Sequence, residues 1–151
     1  MTAEFIVDEK EFSDIANKIA QLGKEVTNKT VLEKIALTIK NNIFQRTQAG
    51  KDVNFQPFAK YSSWYAQKEG KTIVNLAKTG GMLNSMTQKV LSNDTAKIFF
   101  TNKRARELAL KHQTGEGVPV RNFFGVSVRD RQDAQKEFLK QILEAKRKLA
   151  L

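Results

Sequence analysis

The sequence contains no cysteine, one histidine and two prolines among its 151 residues. Without cysteine the chain forms no disulfide and no thiolate metal site, so packing must stabilise the fold, and a reducing compartment fits this composition. A single histidine, His112, also excludes a histidine-pair zinc motif. No apolar run of about 18 residues is present, and the N-terminus lacks the basic and apolar regions of a signal peptide. We therefore expect a soluble, unprocessed protein with no membrane partner.

The groups needed for catalysis are also scarce. His112 lies on the apolar face of a predicted helix, where a structural histidine is more common than a catalytic base. The Thr79-Gly-Gly81 segment lacks the spacing and the lysine of a phosphate-binding loop. Most acidic residues fall in the first turns of predicted helices, where helix capping explains them. We expect no enzyme, no catalytic residue, no cofactor and no metal, although catalysis by carboxylates alone remains an open alternative.

Charge is abundant and unevenly distributed. The net charge is +10, but residues 1–16 contain five acidic residues and one lysine, so this segment carries −4 and the remainder +14. A basic body with an acidic start favours contact with a polyanion or an acidic neighbour, or head-to-tail contact between copies of the chain. The alternative is that excess lysine only keeps a small protein soluble.

Apolar residues at helical spacing predict two helices in the first third of the chain. The first starts near Asp8, ends at Gly23 and carries the stripe Phe12, Ile15, Ile19 and Leu22. The second runs from Thr30, where Thr-x-x-Glu33 is a capping box, to about Arg46. Its predicted buried face consists of Leu32, Ile35, Ala36, Ile39 and Ile43. A short polar link between the two helices indicates a helical hairpin.

Further elements follow in the second half of the chain. A short helix is predicted to be capped by Thr79 and to carry Met82, Leu83 and Met86. Two strands, 87–92 and 95–101, are predicted around the turn Asn93-Asp94, with Val90, Ile98 and Phe100 on the apolar face. After them come a helix from Lys103 to about His112, an extended segment from Pro119 to Val128 that can supply another strand, and a helix from Asp130 or Asp133. The prediction is one α+β domain over residues 1–151, with several helices packed on a small antiparallel sheet.

Between about residues 47 and 75 the periodicity disappears, which predicts a long loop with a helical turn at 62–67. Long loops in compact domains are usually functional or mobile. Its aromatic residues are candidate interface residues for a partner, or else they fold back as a lid on the protein's own core. These residues are Phe55, Phe58, Tyr61, Trp64 and Tyr65.

Basic residues predict a second possible function. Four cations cluster on the helix that begins at Lys103, and Lys60, Lys68 and Lys71 alternate with the aromatic residues of the loop. This combination occurs where bases stack above a surface that follows the phosphates. The candidate polyanion contacts are Lys103, Arg104, Arg106 and Lys111. No recognised DNA-reading motif is present, so a basic nucleic-acid-binding module is the alternative function.

Several short motifs, in a fixed order, resemble the tailed-phage virion morphogenesis (tail completion) family over about residues 40–145. The first group is Phe55-Gln-Pro57, Tyr61-Ser-Ser-Trp-Tyr65 and Lys68-Glu-Gly-Lys71. The second is Leu76-Ala-Lys-Thr-Gly80, leading into Met82-Leu83 and Ser85-Met86. The third is His112-Gln113-x-Gly115, Pro119-x-Arg121 and Phe124-Gly125. The chain departs from the family pattern at Asn122, where proline is common, and at Leu108-Ala109, where Tyr-Ala is usual.

The resemblance implies a structural protein that completes the tail of a phage or prophage particle, or joins the tail to the head. It implies a ring-forming homo-oligomer whose partners are its own copies and other tail or head-tail connector proteins, with non-specific DNA contact possible at a basic inner surface. The protein would be a virion component assembled in the cytoplasm of the host bacterium. The third motif group is expected to stabilise the fold, and its structural residues are His112, Arg121, Phe124 and Gly125.

Overall fold

The computed structural model describes residues 28–70, 74–76, 80–92 and 94–148, and these form helices packed on a two-stranded antiparallel sheet. The elements in chain order are α1 (Asn28–Gln48), α2 (Ser63–Glu69), α3 (Gly81–Asn84), β1 (Met86–Val90), β2 (Ala96–Phe100), α4 (Lys103–Thr114) and α5 (Val128–Lys148). The predicted α+β class is confirmed. The helix predicted from Asp8 to Gly23 lies outside the described residues.

Helix α1 forms the centre of the fold because its apolar residues recur every three or four positions and line one side. This side packs against α5 and against both strands. The predicted buried residues Leu32, Ile35, Ala36, Ile39 and Ile43 are all in the core, together with Val31. The described helix already includes Asn28, so Thr30 lies in its first turn and not at the predicted capping position.

The predicted hairpin is present, and its pairing register explains which side chains are buried. Met86 pairs with Phe100, Gln88 with Ile98 and Val90 with Ala96, which places all six on one face of the sheet. Met86, Ala96, Ile98 and Phe100 are buried on this face, whereas Val90, next to the turn, is only half-buried. At the turn, hydrogen bonds from Ser92 and Thr95 hold the pKa of the Asp94 carboxyl below its usual range.

The short helix before the hairpin differs from the prediction in two ways. Its N-cap is Gly80, which has a positive φ of 74° and offers no side-chain cap, and not Thr79. Met86 belongs to strand β1 because its backbone pairs with Phe100, although its side chain is buried beside those of Met82 and Leu83 as expected. Periodicity alone cannot separate a helix end from an adjoining strand when both bury the same face.

The strand predicted within Pro119 to Val128 is wrong. The described sheet has only two strands, and the backbone groups of this segment bond elsewhere. The N–H of Arg121 donates to the carbonyl of His112 at 2.7 Å, and the carbonyl of Asn122 accepts from the N–H of Val53 at 2.9 Å. These two groups are paired with a helix end and a loop, and the described part of 119–128 contains no strand residue.

Helix α5 begins at Val128, slightly before either predicted start, and a reciprocal cap explains the position. The N–H of Asp130 donates to the Ser127 hydroxyl at 3.0 Å, and the N–H of Ser127 donates to the Asp130 carboxylate at 2.8 Å. This is the geometry of a capping box with aspartate in the third position. Phe138 and Ile142, four positions apart on this helix, are buried in the core.

A buried ion pair joins the end of α1 to the start of α5. Arg46 Nη1 lies 2.7 Å from Asp130 Oδ2, and both side chains are almost fully shielded from solvent. Arg46 Nη2 also donates to the carbonyls of Phe123 and Gly125. Farther along, Asn42 bonds to Asp133 and Lys34 to Gln141, so α1 and α5 run antiparallel.

The segment predicted as one loop from 47 to 75 is more ordered than expected. Helix α1 continues to Gln48, an isolated bridge pairs Lys51 with Pro57, and α2 occupies 63–69 where a helical turn was predicted. Ser62 caps α2 by accepting from the N–H of Tyr65, and Gly70 ends it with a positive φ of 62°. The described remainder of the segment is therefore a set of short turns attached to the core.

Breaking the buried ion pair should destabilise the protein strongly. Arg46→Met leaves the Asp130 carboxylate buried without its cation, and we expect a loss of about 3–5 kcal/mol in the free energy of unfolding. Glu107→Gln removes the exposed partner of Lys103, at 3.8 Å, and should cost less than about 1 kcal/mol. Urea denaturation followed by circular dichroism measures both values. Equal losses in the two variants would contradict the role assigned to the buried pair.

Candidate functional site

A cleft of about 840 Å³ lies where the first and third motif groups meet. One wall consists of Lys60, Tyr61, Ser62 and Tyr65, at the start of α2, and another of Gly117, Val118, Pro119 and Arg121. Helix α4 and the Gly80–Met82 turn also contribute to the cleft. Residues that are about 60 positions apart in the sequence thus share one surface.

Arg121 and Tyr61 hold the two walls together. The Arg121 guanidinium is buried, with Nε donating to the carbonyl of Ala59 at 2.9 Å and Nη2 to that of Lys60 at 3.3 Å. It also lies over the Tyr61 ring at 5.0 Å, a cation–π contact. The Tyr61 hydroxyl in turn accepts from the N–H of Leu76 at 3.2 Å. All three motif groups are therefore connected by direct contacts.

Burial changes the protonation equilibria of this junction. Desolvation lowers the pKa of the Arg121 guanidinium, an effect that Tyr61 and Tyr65 oppose. Desolvation likewise raises the pKa of the Tyr61 phenol, although the hydrogen bond from Leu76 acts in the opposite direction. At neutral pH the phenol therefore stays uncharged and acts as a hydrogen-bond acceptor.

His112 lies on α4 at the base of the cleft. Its carbonyl accepts from Arg121, and its Nδ1 is the buried ring nitrogen for which no partner is found among the described residues. Desolvation, followed by repulsion from Arg121, lowers the His112 pKa to about 4. The imidazole is thus neutral at pH 7, and no carboxylate among the residues lining the cleft is available to orient it. The structural role of His112 stays a prediction.

The other residues predicted to be structural fix the segment that follows the cleft. The Gln113 side-chain amide bonds twice to the backbone of Phe124, at 2.9 and 3.2 Å. The Phe124 ring packs on Phe100 at 5.2 Å. A side chain at Gly125 would press on Val53, since a Cβ there would lie 3.3 Å from Val53 Cγ2. These contacts attach the segment to α4, to the hairpin and to the loop that contains Val53.

Gly115, which ends α4, is required by its backbone geometry. Its φ of 78° is in the left-handed region, and its N–H donates to the carbonyl of Lys111. An added Cβ would also lie only 2.7 Å from Val120 Cγ2. Glycine is the residue that satisfies both conditions, so the chain can turn sharply from α4 into the wall of the cleft.

The five candidate interface aromatics have different environments. Phe58 is buried in the core, which corrects its prediction as an interface residue and follows the lid alternative. Tyr61 and Tyr65 are half-buried, and their rings pack at a tilt of 54° with centroids 4.7 Å apart. Phe55 is on the surface, with Arg129 over its ring at 5.7 Å. Trp64 is 68% exposed and only Lys68 lies over its ring, so it is the most available of the five.

The four candidate polyanion contacts on α4 do not act as one patch. Arg106 donates to the carbonyl of Phe100 at 3.1 Å, and Lys103 is within 3.8 Å of Glu107. Arg104 is exposed and lines the cleft, and Lys111 is exposed at the other end of the helix. Of these four cations, only Arg104 therefore lines the cleft together with Tyr61 and Tyr65.

The cleft is suited to binding an anionic or acidic partner. Three cations line it, Lys60, Arg104 and Arg121, and no aspartate or glutamate does. Apolar side chains between them, such as Leu76, Met82 and Leu108, provide contact area for a segment of mixed character. Nowhere among the described residues are three histidine, aspartate or glutamate side chains placed to hold a metal ion. No described helix is long and apolar enough to cross a bilayer.

Sequence reasoning singled out Tyr61, Tyr65, Arg104 and Arg121 but did not predict that they surround one cleft. It missed Lys60 as a lining residue, although its position beside Tyr61 in the alternation of lysine and aromatics was a usable signal. Leu108, on the same helix as Arg104, is exposed and also lines the cleft. Comparison of the chain with protein families, curated proteins and solved structures finds no match.

Acidification should destabilise the fold through His112. Between pH 6.5 and about 4 the unfolded chain binds a proton at this histidine that the folded protein does not, so stability falls as the pH decreases. The pKa difference corresponds to about 3 kcal/mol at most, and because the ring is partly solvated we expect about 1–2 kcal/mol. Urea unfolding of the wild type and of His112→Gln at pH 7 and pH 4.5 measures how much His112 contributes to the change in the free energy of unfolding with pH. An unchanged pH dependence in the variant would show that His112 is not responsible.

Proposed function

We propose that this chain is a non-enzymatic structural protein of a tailed phage or prophage particle. In this role it completes the tail, or joins the tail to the head, as a ring of identical subunits. The observation that carries the proposal is that the motif groups of the resemblance are in contact in the fold, through Arg121, Tyr61 and Leu76. Motifs scattered by chance would have no reason to converge on one cleft.

The surface chemistry around the cleft supports a subunit contact. Trp64 and Val120 do not line the cleft but adjoin the lining residues Tyr65 and Arg121 in the sequence, and they are 68% and 58% exposed. Arg121 and Tyr61 are held by hydrogen bonds. Exposed aromatic and arginine side chains on a rigid support are typical of residues that dominate the affinity of an interface. Burying Trp64 against a neighbour would also remove a large apolar surface from water.

A ring requires two different surfaces on each subunit, because a head-to-tail contact pairs one patch with another. In the proposal the cleft is one of these patches, and its cations, Lys60, Arg104 and Arg121, call for an acidic surface on the next subunit or on a connector protein. The net charge of +10 also allows DNA to pass along a basic inner surface. The proposed location is the virion, after assembly in the cytoplasm of the host bacterium.

The nucleic-acid-binding alternative is less favoured by the arrangement of α4. Arg106 bonds to the backbone of β2 and Lys103 lies beside a carboxylate, so Arg104 and Lys111, toward opposite ends of the helix, are the two cations of this set whose side chains have no ion pair or hydrogen bond among the described residues. Weak binding to DNA that disappears at moderate salt is expected of any protein with this net charge.

Self-association through the cleft is tested by Trp64→Ala and Arg104→Glu. We expect the wild type to form discrete oligomers in light scattering and rings in electron micrographs. Each substitution should raise the dissociation constant by about 30-fold or more, as loss of a dominant interface residue does. The matched control is Leu91→Ala, because Leu91 is exposed on the hairpin and does not line the cleft.

Two results would contradict this proposal. One is a wild-type protein that stays monomeric at high concentration in light scattering and shows no rings in micrographs. The other is tight binding of that monomer to DNA in a gel-shift assay at 150 mM salt, roughly physiological ionic strength, which would favour the nucleic-acid alternative. Equal loss of assembly in Leu91→Ala would place the contact away from the cleft.

A further inference from the structure

The turn that follows α4 presents a single carboxylate at a narrow tip, residues 114–117. Gly115 and Gly117, on either side of Glu116, have positive φ angles of 78° and 72°. A Cβ added at Gly117 would have no atom within 4 Å, so the turn is open on that side. The Thr114 hydroxyl bonds back to the carbonyl of Leu110. Glu116 is exposed, and it is therefore the one long side chain that the tip presents.

The Glu116 carboxylate has no partner within the described part of the chain. Four acidic residues in that part are exposed, and three of them are engaged. Glu33 accepts one hydrogen bond, Asp94 accepts two, and Glu107 lies 3.8 Å from a lysine nitrogen. Glu116 is the fourth, and no hydrogen bond or ion pair joins its carboxylate to another described residue. Its charge is therefore available to a second molecule.

The cleft carries the opposite charge. Lys60 and Arg104 line it, are exposed, and have no ion pair among the described residues. The guanidinium of Arg121 is already held by two backbone carbonyls, so Lys60 and Arg104 are the lining cations that a ligand can reach. Glu116 does not line the cleft of its own chain, although the adjacent Gly117 does. The free carboxylate and the free cations thus remain unpaired within one chain.

Apolar surface accompanies the charges on both sides. The Val120 side chain lies against Gly115, at the base of the tip, and is 58% exposed. In the cleft, Leu108 is 38% exposed beside the cations. The cleft volume of about 840 Å³ is also large enough to receive a protruding group, since binding pockets usually measure about 300–1,000 Å³. Contact between these surfaces would exclude water and strengthen the attraction between the charges.

We propose that the Glu116 tip of one copy enters the cleft of a second copy and pairs there with Lys60 and Arg104. A second copy is favoured as the partner because every chain carries both surfaces, and each surface has the charge that the other lacks. The tip and the cleft are different surfaces, as a head-to-tail contact between identical subunits requires. This inference rests on the proposed function, because it names the acidic group that the cleft meets in the assembly.

Exchange of the two charges tests the contact in the full-length protein. Glu116→Lys brings like charges together and should raise the dissociation constant of self-association by about tenfold or more. An equimolar mixture of Glu116→Lys and Arg104→Glu should associate again, because the lysine of one variant meets the glutamate in the cleft of the other. The matched control is Glu107→Lys, which makes the same change of charge on α4 outside the cleft lining and should leave self-association unchanged. Light scattering measures all four samples.

The outcomes separate this inference from the proposed function. Wild-type rings that Glu116→Lys leaves intact, or a mixture that stays dissociated, would overturn the inference, while the tail-protein proposal would stand with another acidic group in the cleft. A wild-type complex of only two chains, with successful charge exchange, would support the inference and contradict the ring. A wild type that stays monomeric contradicts both.

A zero-length cross-link reports the same pairing in the wild-type protein. A water-soluble carbodiimide activates the Glu116 carboxylate, the Lys60 amine attacks it to form an amide, and the carbodiimide leaves as a urea. Isotopically labelled and unlabelled chains are mixed as monomers and then allowed to assemble. Mass spectrometry should find Glu116–Lys60 pairs that join one labelled peptide to one unlabelled peptide. The internal control is the pair Glu107–Lys103, 3.8 Å apart in one chain, which should join peptides of one label only.

Two cross-linking results would overturn the inference. Glu116–Lys60 pairs of a single label would show that the tip reaches the cleft of its own chain. The absence of this pair in a sample where the control pair forms would show that the tip does not reach the cleft at all.

Discussion

The ion pair between Arg46 and Asp130 is the interaction on which the rest of the structure depends. Two charges removed from water are stabilised by close geometry and by further hydrogen bonds. Here the guanidinium also binds the carbonyls of Phe123 and Gly125, and Asp130 Oδ2 also accepts from Ser127. Arg46 Nε and Asp130 Oδ1 are buried without a partner among the described residues, so removal of either side chain would leave its partner still less satisfied. The pair therefore sets the end of α1, the start of α5 and the path of the chain between α4 and α5 at once.

The chain between α4 and α5 connects the core to the cleft. Because Arg46 holds the carbonyls of Phe123 and Gly125, the residues just before them are placed in a defined position, and Arg121 reaches the carbonyls of Ala59 and Lys60. The result is a cleft whose two walls are joined by hydrogen bonds, with the exposed Trp64 next in sequence to the lining residue Tyr65. A scaffold of this kind suits a contact between proteins, since little ordering of the backbone is needed on binding.

Local sequence patterns predicted the helices and strands correctly where a single factor, hydrophobic periodicity or turn chemistry, determines the structure. The buried stripe of α1, the hairpin around Asn93-Asp94 and α4 follow from periodicity and turn chemistry, and they are present in the structure. The prediction failed where tertiary contacts compete with local preference. The segment from Pro119 to Val128 has β-branched residues that favour a strand, but its backbone bonds to His112 and Val53 instead. Phe58 was indistinguishable from its exposed neighbours, because burial depends on where Gly50 turns the chain.

The sequence by itself determined the α+β class, the order of most helices and strands, the basic charge and the motif order behind the proposed phage role. These properties depend on residues near one another in the chain, so they can be read locally. Only the tertiary structure decided that Tyr61 and Arg121 stack, that His112 is desolvated, and that Arg46 and Asp130 pair across 84 positions. The physical reason is that burial and long-range pairing depend on the packing of whole helices, which no local pattern of residues specifies.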